Sequence, residues 1–154
     1  MNSDSLYQPI KALKFNARQF LGAIGAILGA FFPIAEAIAQ CPSTINTFPY
    51  QEGFETNPAW TSGGTASDWA WGTPSHPSIN TAAEGTKGWF VGSLSGTYYE
   101  FGQQSWLESP CFDFTALQYP YISFKLYWEC ERQYDGLGFQ YSLDQGTTWS
   151  NVGS

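Results

Sequence analysis

Residues 121–130 read Tyr-Ile-Ser-Phe-Lys-Leu-Tyr-Trp-Glu-Cys, and this stretch decides the fold class. Apolar side chains stand at every second position: Ile122, Phe124, Leu126, Trp128 and Cys130. Because successive side chains of a strand point to opposite faces, the alternation predicts a half-buried β-strand with one face on a core. Pro120 suits the edge of such a strand, and Asp135-Gly136 predicts a turn after it.

The chain around this stretch has the same rhythm of short apolar runs separated by Gly, Pro, Ser and Thr. Further strands are predicted at 89–94, 105–109 and 137–143, and loops at 61–67 and 72–88. A sandwich needs about seven strands, and fewer can be counted before Ser154. The sequence therefore predicts an all-β antiparallel jelly-roll or β-sandwich that is truncated at its C-terminus.

Composition narrows the class of protein and of partner. Of the 154 residues, 43% are hydrophobic, 18% aromatic and 12% charged, and the net charge is −7. This much apolar surface argues against disorder, because its burial offsets the entropy of folding. An acidic chain with six basic residues argues against a nucleic-acid partner and against a basic membrane-binding patch.

The first 39 residues have the pattern of a helical signal peptide. A basic segment at 11–18 precedes an uncharged run at 20–34, and Ala37-Ile38-Ala39 follows. The small-x-small pattern predicts cleavage between Ala39 and Gln40. An uncleaved anchor helix is the alternative, although the run is shorter than the roughly 20 residues that span a bilayer. The protein is accordingly expected outside the cell or on its surface, with membrane contact only through an uncleaved leader.

Three regions follow from this organisation. Residues 1–39 are assigned to the signal peptide, residues 40–48 to an N-terminal linker, and residues 49–154 to an incomplete β domain.

The three cysteines all lie in the predicted exported part, where disulfides persist. We expect a bridge between Cys111 and Cys130, because Cys130 lies on the apolar face of its strand and residues 118–120 predict a turn between the two. The competing pairing joins Cys41 to Cys111 or to Cys130.

Residues 142–149 read Ser-Leu-Asp-Gln-Gly-Thr-Thr-Trp and resemble the Asp-box motif known from sialidase propellers. The pattern predicts a structural hairpin in which Asp144 accepts backbone hydrogen bonds, Gly146 adopts a positive φ, and Trp149 packs over the turn. A single copy argues against a propeller, which repeats its blades.

A second set of short motifs recurs in a characteristic order. The set comprises Phe54-Glu55, Trp60, the Asp-Trp segment 68–74, the Gly-aromatic strand 88–91, Leu107-Glu108-Ser109-Pro110 and Ile122-Ser123-Phe124. In this order it resembles the MAM domain, and more closely the MAM-like domains of secreted, often protease-linked proteins of bacteria with type IX secretion. The resemblance covers residues 48–153, about two thirds of such a domain. It implies a non-catalytic jelly roll that serves adhesion or assembly. The cysteine positions differ from the animal pattern, and Ser75-His76 stands where that pattern has Asp-His.

Candidate binding residues are aromatic or acidic. Trp69, Trp71 and Trp106 are candidates for stacking on a sugar, and the alternative is that they fill the sandwich core. Four carboxylates could hold a structural Ca²⁺ with backbone oxygens, or else form a solvated rim: Glu55, Asp68, Glu131 and Asp135. We assign no catalytic residue and no cofactor, since neither Gly-x-Ser-x-Gly nor His-Glu-x-x-His occurs and His76 lies in a polar loop.

The sequence thus predicts a secreted, non-catalytic β module that binds an extracellular protein or glycan, or that accompanies a larger secreted protein. The alternative is the N-terminal fragment of a secreted peptidase or glycosidase whose catalytic part lies beyond residue 154.

Overall fold

The computed structural model describes residue 41, residues 43–96 and residues 98–153, together with the backbone of residues 12–19. Within these ranges the chain forms nine strands and no helix, so the predicted all-β class is confirmed. The strands are β1 (Ala12–Gln19), β2 (Thr44–Ile45), β3 (Thr61–Thr65), β4 (Ala70–Gly72), β5 (Gly88–Phe90), β6 (Gln104–Glu108), β7 (Cys111–Phe112), β8 (Asp135–Ser142) and β9 (Ser150–Asn151).

Five of these strands form one antiparallel sheet in the order β3-β6-β1-β8-β9. β1 is its central strand: Phe15 lies opposite Leu107 of β6 on one side and opposite Phe139 of β8 on the other. The basic end of the predicted leader is therefore extended where we expected helix, because the two neighbours offer hydrogen bonds to both edges of its backbone. The apolar run 20–34 and the predicted cleavage point at Ala39 and Gln40 lie outside the described residues.

The predicted strands form where another strand lies beside them and pairs with them. β5, β6 and β8 overlap predicted strands, although β5 ends at Phe90, short of the predicted end at 94. The predicted turn at Asp135-Gly136 is wrong, because these two residues already belong to β8 and the turn precedes them. β3 occupies a segment predicted as a loop; its glycines let the backbone lie close against β6. The strand predicted most clearly, at 121–130, is absent: these residues belong to none of the sheets in the described chain, and residues 121–129 are exposed.

A small parallel sheet joins the start of the β domain to its core. β2, which lies in the segment predicted as a linker, pairs with β7, and Thr44 lies opposite Cys111. Cys41 and Cys111 form a disulfide with their Cα atoms 5.6 Å apart, and Cys130 is a free thiol. The predicted Cys111–Cys130 bridge is therefore wrong, because pairing with β2 brings Cys41 to Cys111, whereas the segment that ends at Cys130 is not a strand beside β7.

The buried apolar core centres on the aromatic side chains that follow this disulfide. The rings of Phe112 and Phe114 stack with their centroids 5.5 Å apart, and Phe48 and Tyr50 pack against them. Leu107 and Cys111 are buried as well. The core thus connects the β2–β7 pair with the face of the large sheet that carries Phe139 and Tyr141.

Candidate ligand-binding site

The three tryptophans proposed for ligand binding belong to different elements. Trp71 lies in β4, Trp106 lies in β6, and Trp69 immediately precedes β4. All three are half-buried, and none belongs to the fully buried core. Their part in ligand binding stays a prediction.

Trp71 is fixed by contacts at its edge and at one face. Its Nε1 donates a hydrogen bond to the carbonyl oxygen of Phe54 at 2.7 Å, and the Lys87 ammonium lies 5.0 Å from its ring centroid. A cation over an indole face is attracted by the quadrupole of the ring. Lys87 therefore lies over one face of the Trp71 ring.

Glu55 organises the loop that carries Lys87. Its Oε1 accepts hydrogen bonds from the backbone nitrogens of Thr86 (2.8 Å) and Lys87 (2.9 Å), and its Oε2 accepts one from the Thr86 hydroxyl at 2.7 Å. These bonds, with that of the Thr86 hydroxyl first, hold the pKa of the Glu55 carboxyl below its usual value because they favour the ionised form. Gly85 allows the approach, since a Cβ there would lie 2.4 Å from Oε1. In the described structure Glu55 serves the loop through both of its oxygens.

Asp68, which precedes Trp69 in the sequence, takes part in a largely buried polar cluster. Gln103, which is only 2% exposed, donates from Nε2 to Asp68 Oδ1 at 2.7 Å and to the Ser105 hydroxyl at 2.6 Å. Two buried polar atoms have no hydrogen-bond partner in the described structure, the acceptor Gln103 Oε1 of this cluster and the donor Trp69 Nε1.

The second carboxylate pair lies at the turn before β8. Asp135 Oδ2 accepts a hydrogen bond from the Tyr99 hydroxyl, and the Tyr99 oxygen accepts one from the backbone nitrogen of Glu131 at 3.5 Å. Burial, followed by this bond to Asp135, raises the pKa of Tyr99 to about 12. Among the residues described, no group of three or more His, Cys, Asp or Glu side chains is arranged to hold a metal ion. The calcium hypothesis stays a prediction.

The hairpin from β8 to β9 is organised around Asp144. Its Oδ1 accepts hydrogen bonds from the Thr148 backbone nitrogen (2.8 Å) and the Ser142 hydroxyl (2.7 Å), and its Oδ2 accepts one from the Thr148 hydroxyl. Gly146 has a φ of 87°, and Trp149 Nε1 donates to the Gly146 carbonyl oxygen at 2.9 Å. The motif thus builds a turn in which its polar side chains bond to one another and to the backbone.

The tip of this turn borders a surface cleft. The cleft has a volume of about 310 Å³ and lies between the disulfide, the β2–β7 pair and Gln145. Sequence reasoning missed both the cleft and Gln103, because their parts come together from segments more than thirty residues apart. Local sequence carries no signal for such contacts.

His76 is held within its own loop. Its Nδ1 accepts hydrogen bonds from the backbone nitrogens of Ser78 (3.1 Å) and Ile79 (3.4 Å). This ring nitrogen therefore bonds to the backbone of its own loop.

Comparison with known proteins finds no matching family model, no matching curated protein and no matching solved structure. No helix with the length and apolar character to cross a membrane occurs in the described ranges.

Proposed function

We propose that this chain is an exported, disulfide-bonded β module of the jelly-roll or sandwich type that binds an extracellular protein or glycan. The observation that carries the proposal is the Cys41–Cys111 disulfide. Disulfides persist in oxidising compartments outside the cytoplasm. The bridge also fits the predicted cleavage, since Cys41 would be the second residue of a chain that begins at Gln40.

Two buried polar atoms without a hydrogen-bond partner in the described structure support a ligand rich in hydroxyl groups. They are an indole donor, Trp69 Nε1, and an amide acceptor, Gln103 Oε1. Trp69 itself is half-buried. Sugars are commonly bound in this way, by an aromatic surface with polar groups at its edge. We therefore favour a glycan over a protein as the ligand.

The titratable groups support a role without catalysis. Burial, and secondarily the Asp135 charge, raises the pKa of the Cys130 thiol, so the thiolate that a nucleophilic cysteine needs is disfavoured at neutral pH. His76 is held as a backbone acceptor in its loop.

Export is tested by expressing the full chain with its own leader in a secreting bacterial host. We expect protein outside the cytoplasm that begins at Gln40, with Cys41 and Cys111 joined in non-reducing peptide maps. A cytoplasmic, reduced chain that still carries residues 1–39 would contradict the proposal.

Ligand binding is tested with the same exported protein on a glycan array. We expect Trp69→Ala to abolish binding. The control is Tyr119→Ala, which changes a 74% exposed ring, and we expect it to keep the melting temperature of the parent protein. If Trp69→Ala lowers only the melting temperature and leaves binding intact, Trp69 is a packing residue and the glycan proposal fails.

A further inference from the structure

The segment 121–130 has the pattern of a sheet strand and yet lies outside every sheet of the described chain. Its alternate apolar side chains are exposed to a degree unusual for such residues: Ile122 39%, Phe124 49%, Leu126 51% and Trp128 64%. A row of exposed apolar side chains on a soluble domain marks a surface that another element covers.

The turn that would join this segment to β8 is already formed. The backbone nitrogens of Tyr134 and Asp135 both donate to the Glu131 carbonyl oxygen, at 3.2 and 3.0 Å. The ring of Phe124 already lies against that of Phe139 in β8, with the centroids 5.1 Å apart. The segment therefore runs past β8 without entering the ladder.

β1 occupies the place that a hairpin partner of β8 would take. It pairs with β8 from Ala12 opposite Ser142 to Gln19 opposite Asp135, and its other edge pairs with β6. A strand that pairs with β8 through the turn at Glu131 would run antiparallel to β8, in the direction that β1 runs.

We infer that residues 121–130 form the strand between β6 and β8 once β1 is removed, and that β1 holds this place in the uncleaved chain. A four-residue turn over residues 131–134 sets Cys130 opposite Asp135 and Leu126 opposite Phe139. Directly opposite residues of an antiparallel pair share a face. This register places the apolar positions of the segment on the face of Leu137, Phe139 and Tyr141.

The same register places the segment in the positions of β1 residue by residue. Leu126 takes the position of Phe15, which lies opposite both Phe139 and Leu107. Trp128 takes the position of Ala17, opposite Ser105 of β6. The large indole then faces a small side chain across the ladder. Phe124, Leu126 and Trp128 take the positions of Leu13, Phe15 and Ala17, whereas Cys130 takes the position of Gln19.

The replacement of β1 by residues 121–130 makes the leader a regulatory element of the fold. While β1 is present, the row of apolar side chains stays exposed and residues 121–130 remain outside the sheet. Removal of residues 1–39 allows residues 121–130 to pair with β8. This role in the cell rests on the proposed export, whereas the competition between the two segments for one place does not.

The competition is tested in the full chain with Asn16→Pro, because proline in a central strand removes a ladder hydrogen bond and disfavours pairing. Amide hydrogen exchange is measured on the parent, on Asn16→Pro and on Ala30→Pro, a control outside β1. We expect residues 121–130 to exchange at least tenfold more slowly in Asn16→Pro alone, with β6 and β8 still protected. Unchanged exchange of residues 121–130, or loss of protection in β6 and β8, would overturn the inference.

A cross-link provides a second readout that does not depend on exchange rates. In a Cys130→Ser background, Trp128→Cys with Leu137→Cys places two thiols directly opposite in the proposed ladder, where Cα atoms lie about 4.5–5.5 Å apart and a disulfide can form. We expect the bridge when Asn16→Pro is added, and little of it when Asn16 is kept. Equal cross-linking in both chains would overturn the inference. An exported protein with an intact N-terminus would overturn the predicted cleavage alone and leave this difference unchanged.

Discussion

Asp144 shows how one side chain organises a whole turn. Three hydrogen bonds, from the Thr148 hydroxyl, the Thr148 backbone and the Ser142 hydroxyl, reach its carboxylate and lower its pKa to about 2. Each of these donors favours the ionised form. The turn is therefore coupled to the charge of Asp144.

We expect Asp144 to titrate near pH 2 and the turn to loosen with it. The folded pKa lies below the ordinary value near 4, so the stabilising contribution is complete above pH 4 and is lost as the pH falls through about 2. An NMR titration should show the Thr148 amide shifting with the Asp144 carboxyl. Asp144→Ala should remove the titration and speed exchange of that amide; a midpoint near pH 4 in the parent protein would contradict the assignment.

At the scale of elements, β3 depends on glycine at a position where no other residue fits. Gly64 has a φ of +107°, and a Cβ there would lie 2.2 Å from the Gln104 carbonyl oxygen. Its neighbour Gly63 lies against the Trp106 indole, with a Cβ position 2.6 Å from the ring. The two glycines let the edge strand approach β6 and its indole.

We expect Gly64→Ala to destabilise the protein by at least about 1 kcal/mol, because it adds both backbone strain and a clash with the backbone of β6. Gly53→Ala is the matched control, since nothing lies within 4 Å of its Cβ position. Urea unfolding followed by circular dichroism measures both. Equal midpoints for the two variants would show that β3 is not held in this way.

β7 places Phe112 in the core, next to Phe114. Phe112 is 8% exposed, whereas Phe101 in a surface turn is 88% exposed. We expect Phe112→Ala to cost roughly 3–5 kcal/mol of unfolding free energy, since it removes a buried ring and leaves a cavity. Phe101→Ala should stay within about 0.5 kcal/mol of the parent protein. Denaturant unfolding distinguishes the two, and similar losses would contradict the assignment of the core.

At the scale of the molecule, the Cys41–Cys111 disulfide closes a loop with a sequence separation of 70 residues. In the chain-entropy model a disulfide that closes a loop of this size stabilises the folded state by about 4 kcal/mol, and strain in the folded state reduces this contribution. We expect Cys41→Ser to lower the melting temperature of the full chain strongly, and Cys130→Ser, which removes the free thiol, to change it little. A thermal melt followed by circular dichroism measures both, and the reverse order would contradict the pairing described above.

The sequence by itself determined the all-β class and the positions of β5, β6 and β8, because alternation of apolar residues records which face of a strand is buried. Only the tertiary structure decided which segments pair. The disulfide joins Cys41 rather than Cys130 to Cys111 because β2 lies beside β7. The glycine-rich segment of β3 is a strand because it pairs with β6. Residues 121–130 stay outside the sheet, in which β1 pairs with both β6 and β8. A pattern records which face a strand would bury, whereas competition among distant segments for one place decides whether it pairs.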